Sequence, residues 1–396
     1  TATKAFEELI ERADTKYILL SYNNMSDKGN DRSNAKISDE DIMRVLSKKG
    51  KVTIFESEYK SFSTGKSDIK DNKERLFLCE VFSEEKKKIN ISCPFNYIGG
   101  KFKLLEQLQP LFVEKEVFLD LFAGGGNVGI NSSSSKVIFN DLNEKLIDLI
   151  KFIKDTDTDI LLKQIDNIID GYGLSNTSLY GYSYYNCDSS RGLAECNKER
   201  FLKLRDDFNA KVLAGETDYS MLYVLMVFSF NNQIRFNRKG LFNLPVGKRD
   251  FNSKMRSKLV LFSKELKSKD VQFMKKDFRE ISLDDFSHET FIYCDPPYLI
   301  TNATYNENGM WTEIEEKTLL EFLDEANEKG FSFALSNVLE SKNKKNGILY
   351  NWIESKGYYC NRLNKSYSNS NYHRKNKNSI SEEVLITNYP VNWRNQ

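Results

Sequence analysis

Histidine, proline and paired cysteines are scarce in this sequence. There are two histidines and six cysteines. The cysteines (Cys79, Cys93, Cys187, Cys196, Cys294 and Cys360) include no C-x-x-C pair. Neither a disulfide framework nor a zinc or other metal site is therefore expected, and the cysteines read as buried or indifferent thiols. The first of six prolines is Pro94. No apolar run approaches the roughly 20 residues that a membrane span requires. The longest are MLYVLMVFSF (Met221 to Phe230) and the stretch around Leu119. The opening TATKAFEELIERADTKY is charged and has no signal-peptide apolar region. These absences lead us to expect a soluble cytoplasmic protein without membrane partners. Net charge is also lacking: 58 Lys and Arg against 57 Asp and Glu leave +1. Any polyanion partner must therefore be met by locally concentrated positive charge. No G-x-x-x-x-G-K-[ST] is present, which disfavours a phosphate-cradling P-loop.

What is present supports a large core. Of 396 residues, 40% are hydrophobic and 13% aromatic, enough for more than one domain. The pattern predicts an α/β protein in three parts. Residues 1–88 read as a partial β-α-β-β module. It comprises the strand YILLSYNN (Tyr17 to Asn24), the helix SDEDIMRVLSKKG with Ser38 as N-cap, and the strands KVTIFESEY and RLFLCEVF. A polar hairpin is expected over Lys60 to Glu74. The order recurs at the end of the chain in FSFALSNV, ILYNWIESKGYYCNRLNKSY and EEVLITNY, which reads as an internal repeat. Residues 89–154 and 270–396 read as a nucleotide-binding sheet, and 155–269 as a mostly helical insertion.

Two motifs carry the chemistry. VFLDLFAGGGNVGI (Val117 to Ile130) is a buried strand, a glycine loop and a helix start. Asp141 follows at the end of the next strand, about 20 residues past Asp120, where a carboxylate suits a ribose diol. The second motif, Asp295-Pro296-Pro297-Tyr298, follows the strand FIYC at the ligand-binding edge of such a sheet. Its prolines remove two N–H donors. What remains is a carboxylate, a carbonyl and an aromatic face, which suit a flat hydrogen-bond donor such as the exocyclic amine of a base.

N-Y-x-G-G-K, D-L-F-x-G-G-G, D-P-P-Y and F-A-L-S-N, in this order, resemble the Dam-like DNA adenine-N6 methyltransferases. R-F-N-x-x-G-x-F-N-x-P-x-G (Arg235 to Gly247) is similar to that family's segment leading into its target-recognition hairpin. The resemblance covers about Ser92 to Tyr389. It is strongest to the C-terminal half of two-domain enzymes that pair with type IIS restriction endonucleases. It implies a Rossmann-like methyltransferase sheet with S-adenosylmethionine as cofactor. Tyr97 would lie beside the cofactor, Lys101 would meet its carboxylate, and Asp141 would hold its ribose. Asp120 and the loop Phe122-Ala123-Gly124-Gly125-Gly126 would wrap the methionine moiety, with Asp277 and Phe278 flanking the adenine. Asp295 and the Pro296 carbonyl would accept the two N6 hydrogens of a flipped adenine, with Pro297 shaping the loop and Tyr298 stacking on the base. The cognate endonuclease would act on the same site without having to bind this chain.

Duplex DNA as partner requires phosphate contacts. A first basic cluster runs from Arg235 to Lys258, opposed in sequence by Asp250 alone. Its candidate DNA-contacting residues are Arg235, Asn237, Arg238, Lys239, Asn243, Pro245, Lys248 and Arg249. A second run includes Arg362, His373, Arg374 and Lys375. Phe242 and Pro245 suit either a wedge beside bases or core packing. Three other readings stay open: N4-cytosine methylation, RNA-adenine methylation, and a non-catalytic DNA-binding module. Residues 1–88 hold no D-P-P-Y or glycine loop, and are expected to be the tail of an upstream methyltransferase half or to serve a second methyltransferase chain.

Overall fold

The computed structural model describes residues 2–13, 15–23, 37–58, 73–81, 89–97, 99–188, 190–300, 311–341, 344–363 and 381–391. Two compact units divide it, 1–89 and 90–396.

The first unit contains helix α1 (Ala2–Arg12), strand β1 (Tyr17–Asn23), helix α2 (Asp39–Lys49), β2 (Gly50–Glu58) and β3 (Lys73–Val81). Ser38 caps α2 by accepting from the Asp41 amide, three acids fill the first turn and Lys48 and Lys49 the last, so both ends of the dipole are matched. The strands lie in the order β1-β3-β2, all antiparallel. Phe6 and Ile10 of α1, Ile42, Val45 and Leu46 of α2, and Phe77 and Cys79 of β3 form its core. The order is thus α-β-α-β-β, one helix longer than the sequence reading: α1 buries only two side chains, too narrow an apolar stripe to stand out among its charges. The expected hairpin lies almost wholly outside the described residues.

The second unit runs α3 (Leu105–Leu108), β4 (Val117–Asp120), β5 (Lys136–Asn140), α4 (Glu144–Asp155), α5 (Thr158–Tyr172), α6 (Thr177–Tyr180), α7 (Ala194–Leu213), α8 (Tyr219–Phe228), α9 (Ser253–Ser268), β6 (Asp270–Met274), β7 (Thr290–Cys294), α10 (Glu313–Glu328), β8 (Ser332–Ser341), β9 (Lys344–Lys345), α11 (Gly347–Lys356), β10 (Tyr359–Leu363) and β11 (Ser381–Thr387). Its sheet has the order β10-β11-β8-β7-β4-β5-β6. Strands β4 to β8 run parallel to one another, whereas β11 is antiparallel to both β8 and β10. Strands β4 and β7 are buried along their whole length, as parallel strands covered on both faces must be. Successive residues feed opposite cores: Phe118 one, Leu119 the other. Succession runs outward from β4 through β5 to β6, and on the other side from β7 to β8. The crevice at the C-terminal ends of β4 and β7 is therefore a topological switch point, the usual ligand site of such sheets.

Helix α8 is buried on every side, and so acts as the axis of the helical region. Its Leu222 and Phe228 belong to the same core cluster as Phe118 and Tyr293 of the sheet, so helices and sheet share one interior.

The repeat is visible in the fold. The block from α10 to β11 has the order β8-β11-β10, the same arrangement as β1-β3-β2, with the two-residue β9 added on β8. The helix stops differ: Gly357 ends α11 in the left-handed region, whereas Gly50 is extended and already begins β2. Among the described residues no helix is long and apolar enough to cross a membrane.

Candidate active site

Four segments converge on the switch point. The first is the loop after β4. Gly124 and Gly126 have positive φ, 50° and 71°, which lets the chain turn back immediately. The Gly126 amide closes that turn on the Ala123 carbonyl at 2.7 Å. A 3₁₀ turn, Gly129–Asn131, follows where the sequence suggested a longer helix. Here the chain goes almost directly into β5. Asp120 is buried beneath the loop and accepts from the Gly129 amide at 2.9 Å. Burial, with Asp295 adding to it, pushes its carboxyl up to about 7 despite that bond.

The second segment precedes the loop in sequence and docks onto it. The Cys93 amide donates to Asn127 Oδ1 at 2.9 Å, and Asn131 exchanges hydrogen bonds with the backbone of Ile91. This docking carries Tyr97 against Gly124. The third segment lies beyond β5. Asp141 accepts from the amides of Gly124 at 2.8 Å and Asn143 at 2.9 Å, and remains partly exposed. Asn140 ties this edge to the next strand end by bonding both the amide and the carbonyl of Lys276. Asp277 beyond it is held by Arg279, whose hydrogen bond keeps the carboxyl below its usual range. Phe278 packs with Phe122, and Trp311 completes the aromatic group at 5.7 Å from Phe122 and 5.8 Å from Phe278.

The fourth segment is Asp295-Pro296-Pro297-Tyr298 after β7. Lys101 donates to both oxygens of Asp295, at 2.6 and 2.7 Å, and to the Gly99 carbonyl. Resemblance directs Lys101 toward a cofactor carboxylate; here its ammonium rests on Asp295. The Tyr298 hydroxyl donates to Asp295 Oδ1 at 2.9 Å, and the ammonium lies 5.0 Å from the centre of the Tyr298 ring. Burial raises the Asp295 carboxyl, and the neighbouring Lys101 opposes that shift.

A family model described as D12 class N6 adenine-specific DNA methyltransferase matches residues 97–378. The chain belongs to this family. It is 36% identical to the modification methylase StsI of Streptococcus sanguinis over 98% of this chain and 58% of that protein. It is 34% identical to the type II methyltransferase M.FokI of Planomicrobium okeanokoites, over 97% of this chain and 58% of that protein. A DNA adenine methylase of Vibrio cholerae is 27% identical over 61% of this chain and 79% of its own length. The chain thus spans less than two thirds of the two modification methylases.

In this D12-class chain the switch point brings together bare glycine backbone, a partly exposed carboxylate at Asp141 and the ring of Phe278, the parts of a candidate cofactor cradle. The candidate DNA-contacting segment leaves the helical region as a short loop. Phe236 and Phe242 form a β-bridge, Arg235 donates to Asn243, and Lys145 of α4 clamps the turn through the Gly240 carbonyl at 2.7 Å. Asn237 orders that turn by accepting from the amides of Lys239 and Leu241. Arg238, Lys239, Pro245, Lys248 and Arg249 are exposed. Phe242 is buried, which assigns it to the core rather than to a wedge. Asp250 points inward to Thr177, so it does not screen the surface cations. Arg256 pairs with Asp166 and covers Phe251, a structural use of one cation of the cluster. His373, Arg374 and Lys375 lie outside the described residues.

Sequence reasoning missed Phe230, Asn231 and Asn232. Both asparagines have positive φ, and Asn96, next to Tyr97, bonds the carbonyls of both. This turn holds Phe230 51% exposed. Adjacent asparagines, the non-glycine residues that best tolerate this conformation, were its available signal.

Proposed function

We propose that this chain transfers a methyl group from S-adenosylmethionine to N6 of an adenine flipped out of duplex DNA. The observation that carries the reading is the position of Asp295. It ends β7 beside the β4 loop, on a segment whose two prolines offer acceptors and no N–H donors. The lone pair of adenine N6 is delocalised into the ring. Asp295 and the Pro296 carbonyl accept its two hydrogens and draw the nitrogen toward a tetrahedral geometry, while Tyr298 stacks on the base. The bound cofactor supplies an already activated methyl. The protein therefore contributes positioning and charge placement, and needs no covalent nucleophile. Buried Cys294 is strand packing.

Tyr97, Phe122 to Gly126, Asp141, Asp277 and Phe278 form the cofactor cradle, with Asp120 beneath it. Arg235, Arg238, Lys239, Lys248 and Arg249 meet the phosphates and base edges, with Asn237, Asn243 and Pro245 shaping their turn. The enzyme serves a restriction-modification system in the cytoplasm, and its cognate endonuclease reads the same site. The α-β-α-β-β repeat supports reading residues 1–88 as the closing part of a further methyltransferase-like half.

The test is tritiated cofactor with unmethylated genomic DNA, comparing the protein with Asp295→Ala. Digestion to nucleosides should place the label on N6-methyl-2′-deoxyadenosine in the wild type alone. Equal labelling, or label on cytosine, would refute the assignment.

A further inference from the structure

Asp295 shares its ammonium with a second carboxylate. Glu383 of β11 is 1% exposed, and its Oε1 stands 3.5 Å from Lys101 Nζ and 3.4 Å from the Tyr298 hydroxyl. The pairing of β11 with β8 shifts register between Glu382 and Glu383. Glu383 alternates with buried Leu385 and Thr387 along β11 and shares their covered face. Glu382 pairs with Arg362, which is largely exposed, and Glu383 faces the interior. Two carboxylates and one lysine therefore form a buried triad closed by Tyr298.

The arrangement presents a conflict. Lys101 engages both oxygens of Asp295, and Tyr298 donates to one of them. These donors crowd the carboxylate, so an amino hydrogen arriving at Asp295 competes with the Lys101 ammonium for its oxygens. Lys101 is 3% exposed, and a buried ammonium that loses its counter-ion without replacement is strongly unfavourable. Water cannot readily compensate it there, and Glu383 can.

We propose that Glu383 is a positioning residue: it receives the Lys101 ammonium when the target amino group takes its place on Asp295. The inference rests on the adenine-methylation reading above. The ammonium shifts only between oxygens already beside it, and the charge of the triad stays constant. No bond is made or broken. The groups facing Asp295 are Lys101, Glu383 of β11, Tyr298 of its own loop, Tyr293 and Cys294 of β7, and Asp120 of β4. Of these, Glu383 opposes its ionisation, and Lys101 and the Tyr298 hydrogen bond favour it.

The experiment measures methyl transfer from tritiated S-adenosylmethionine to unmethylated genomic DNA across pH, for the full chain and Glu383→Gln. Wild-type labelling of adenine comes first; its absence would sink the adenine reading itself, and the inference with it. Given that labelling, Glu383→Gln should lower kcat about tenfold or more while calorimetric affinity for the cofactor stays within about twofold. The acid limb of its pH–rate profile should move to lower pH, because the negative charge that holds the Asp295 carboxyl up is gone. In combination with Lys101→Met the losses should not add, since Glu383 acts through Lys101. Wild-type kcat in Glu383→Gln, additive losses, or a loss with an unmoved acid limb would each overturn the proposal. Should Glu383→Gln fail to fold, Glu383→Asp carries the test. It keeps the charge but withdraws it by one methylene, so kcat falls with the acid limb in place; an unchanged kcat there refutes the proposal.

Discussion

The ring of Tyr97 fills the space that a side chain on Gly124 would need. A β-carbon there would stand 2.7 Å from Cδ1 and 2.8 Å from Cε1 of the ring, and Gly124 also has φ of +50°. Gly124→Ala should therefore both strain the loop and push Tyr97 aside. The left-handed conformation alone costs about 1–2 kcal/mol for an L-residue. We expect a lower melting temperature and at least about a tenfold loss of calorimetric cofactor affinity, the equivalent of ~1.4 kcal/mol. Unchanged affinity would remove this loop from the cofactor site.

Asp120 gives a pH signature. Its carboxyl is pushed up to about 7 in the folded protein, from an ordinary 3.8, chiefly by burial. Between these values the folded state holds a proton that the unfolded state has released, so stability from this group falls as pH rises through that window. Above it the burial cost of the ion is fully present. Asp120→Asn should accordingly raise the melting temperature more at pH 8 than at pH 4, relative to wild type. Thermal scans at both values check this, and an equal shift would contradict it.

Exposed cations should set the salt dependence of DNA binding. Arg238→Ala with Lys239→Ala should weaken binding to duplexes of any sequence. The slope of log affinity against log salt should lessen by about 0.9 for each phosphate that is no longer neutralised. Arg256→Ala should instead destabilise the fold, since that side chain is committed to Asp166 and Phe251. Titrations at several salt concentrations, paired with melting curves, separate the two effects.

Phe230 is the exposed aromatic that the Asn231-Asn232 turn presents. Phe230→Ala should change folding stability by no more than about 0.5 kcal/mol, as exposed positions do. Duplex affinity should fall several-fold, because an aromatic face beside the recognition segment is suited to contact bases. A melting change as large as the binding change would make it a packing residue instead.

Much of this site could be read along the chain because its parts follow strands. Asp120, Asp141 and Asp295 each come at or just past the end of an apolar run, and parallel strands deliver such ends to one edge. The repeat was also legible, through Leu-Ser in β1 and β8 and the Lys-Gly helix ends. Glu383 was not. In EEVLIT it looks like one more surface acid, and it is buried because β11 is covered on both faces, with Leu385 on the same side as Glu383. Trp311 was missed because its partners, Phe122, Phe278 and Glu316, are brought to it by three different elements. The inward turn of Asp250 likewise depends on Thr177, 73 positions away.

The recurrence of one α-β-α-β-β block has a consequence for how the catalytic unit can be taken apart. In residues 2–81 the block holds a core of its own, built from both helices and β3. Its counterpart, from α10 to β11, completes its core only against the rest of the sheet, where Leu335 and Ile386 cluster with Leu119 and Ile292. A two-chain version divided just before Trp311 should therefore reassemble by adding β8 alongside β7, and methyl transfer would then become conditional on bringing the two pieces together.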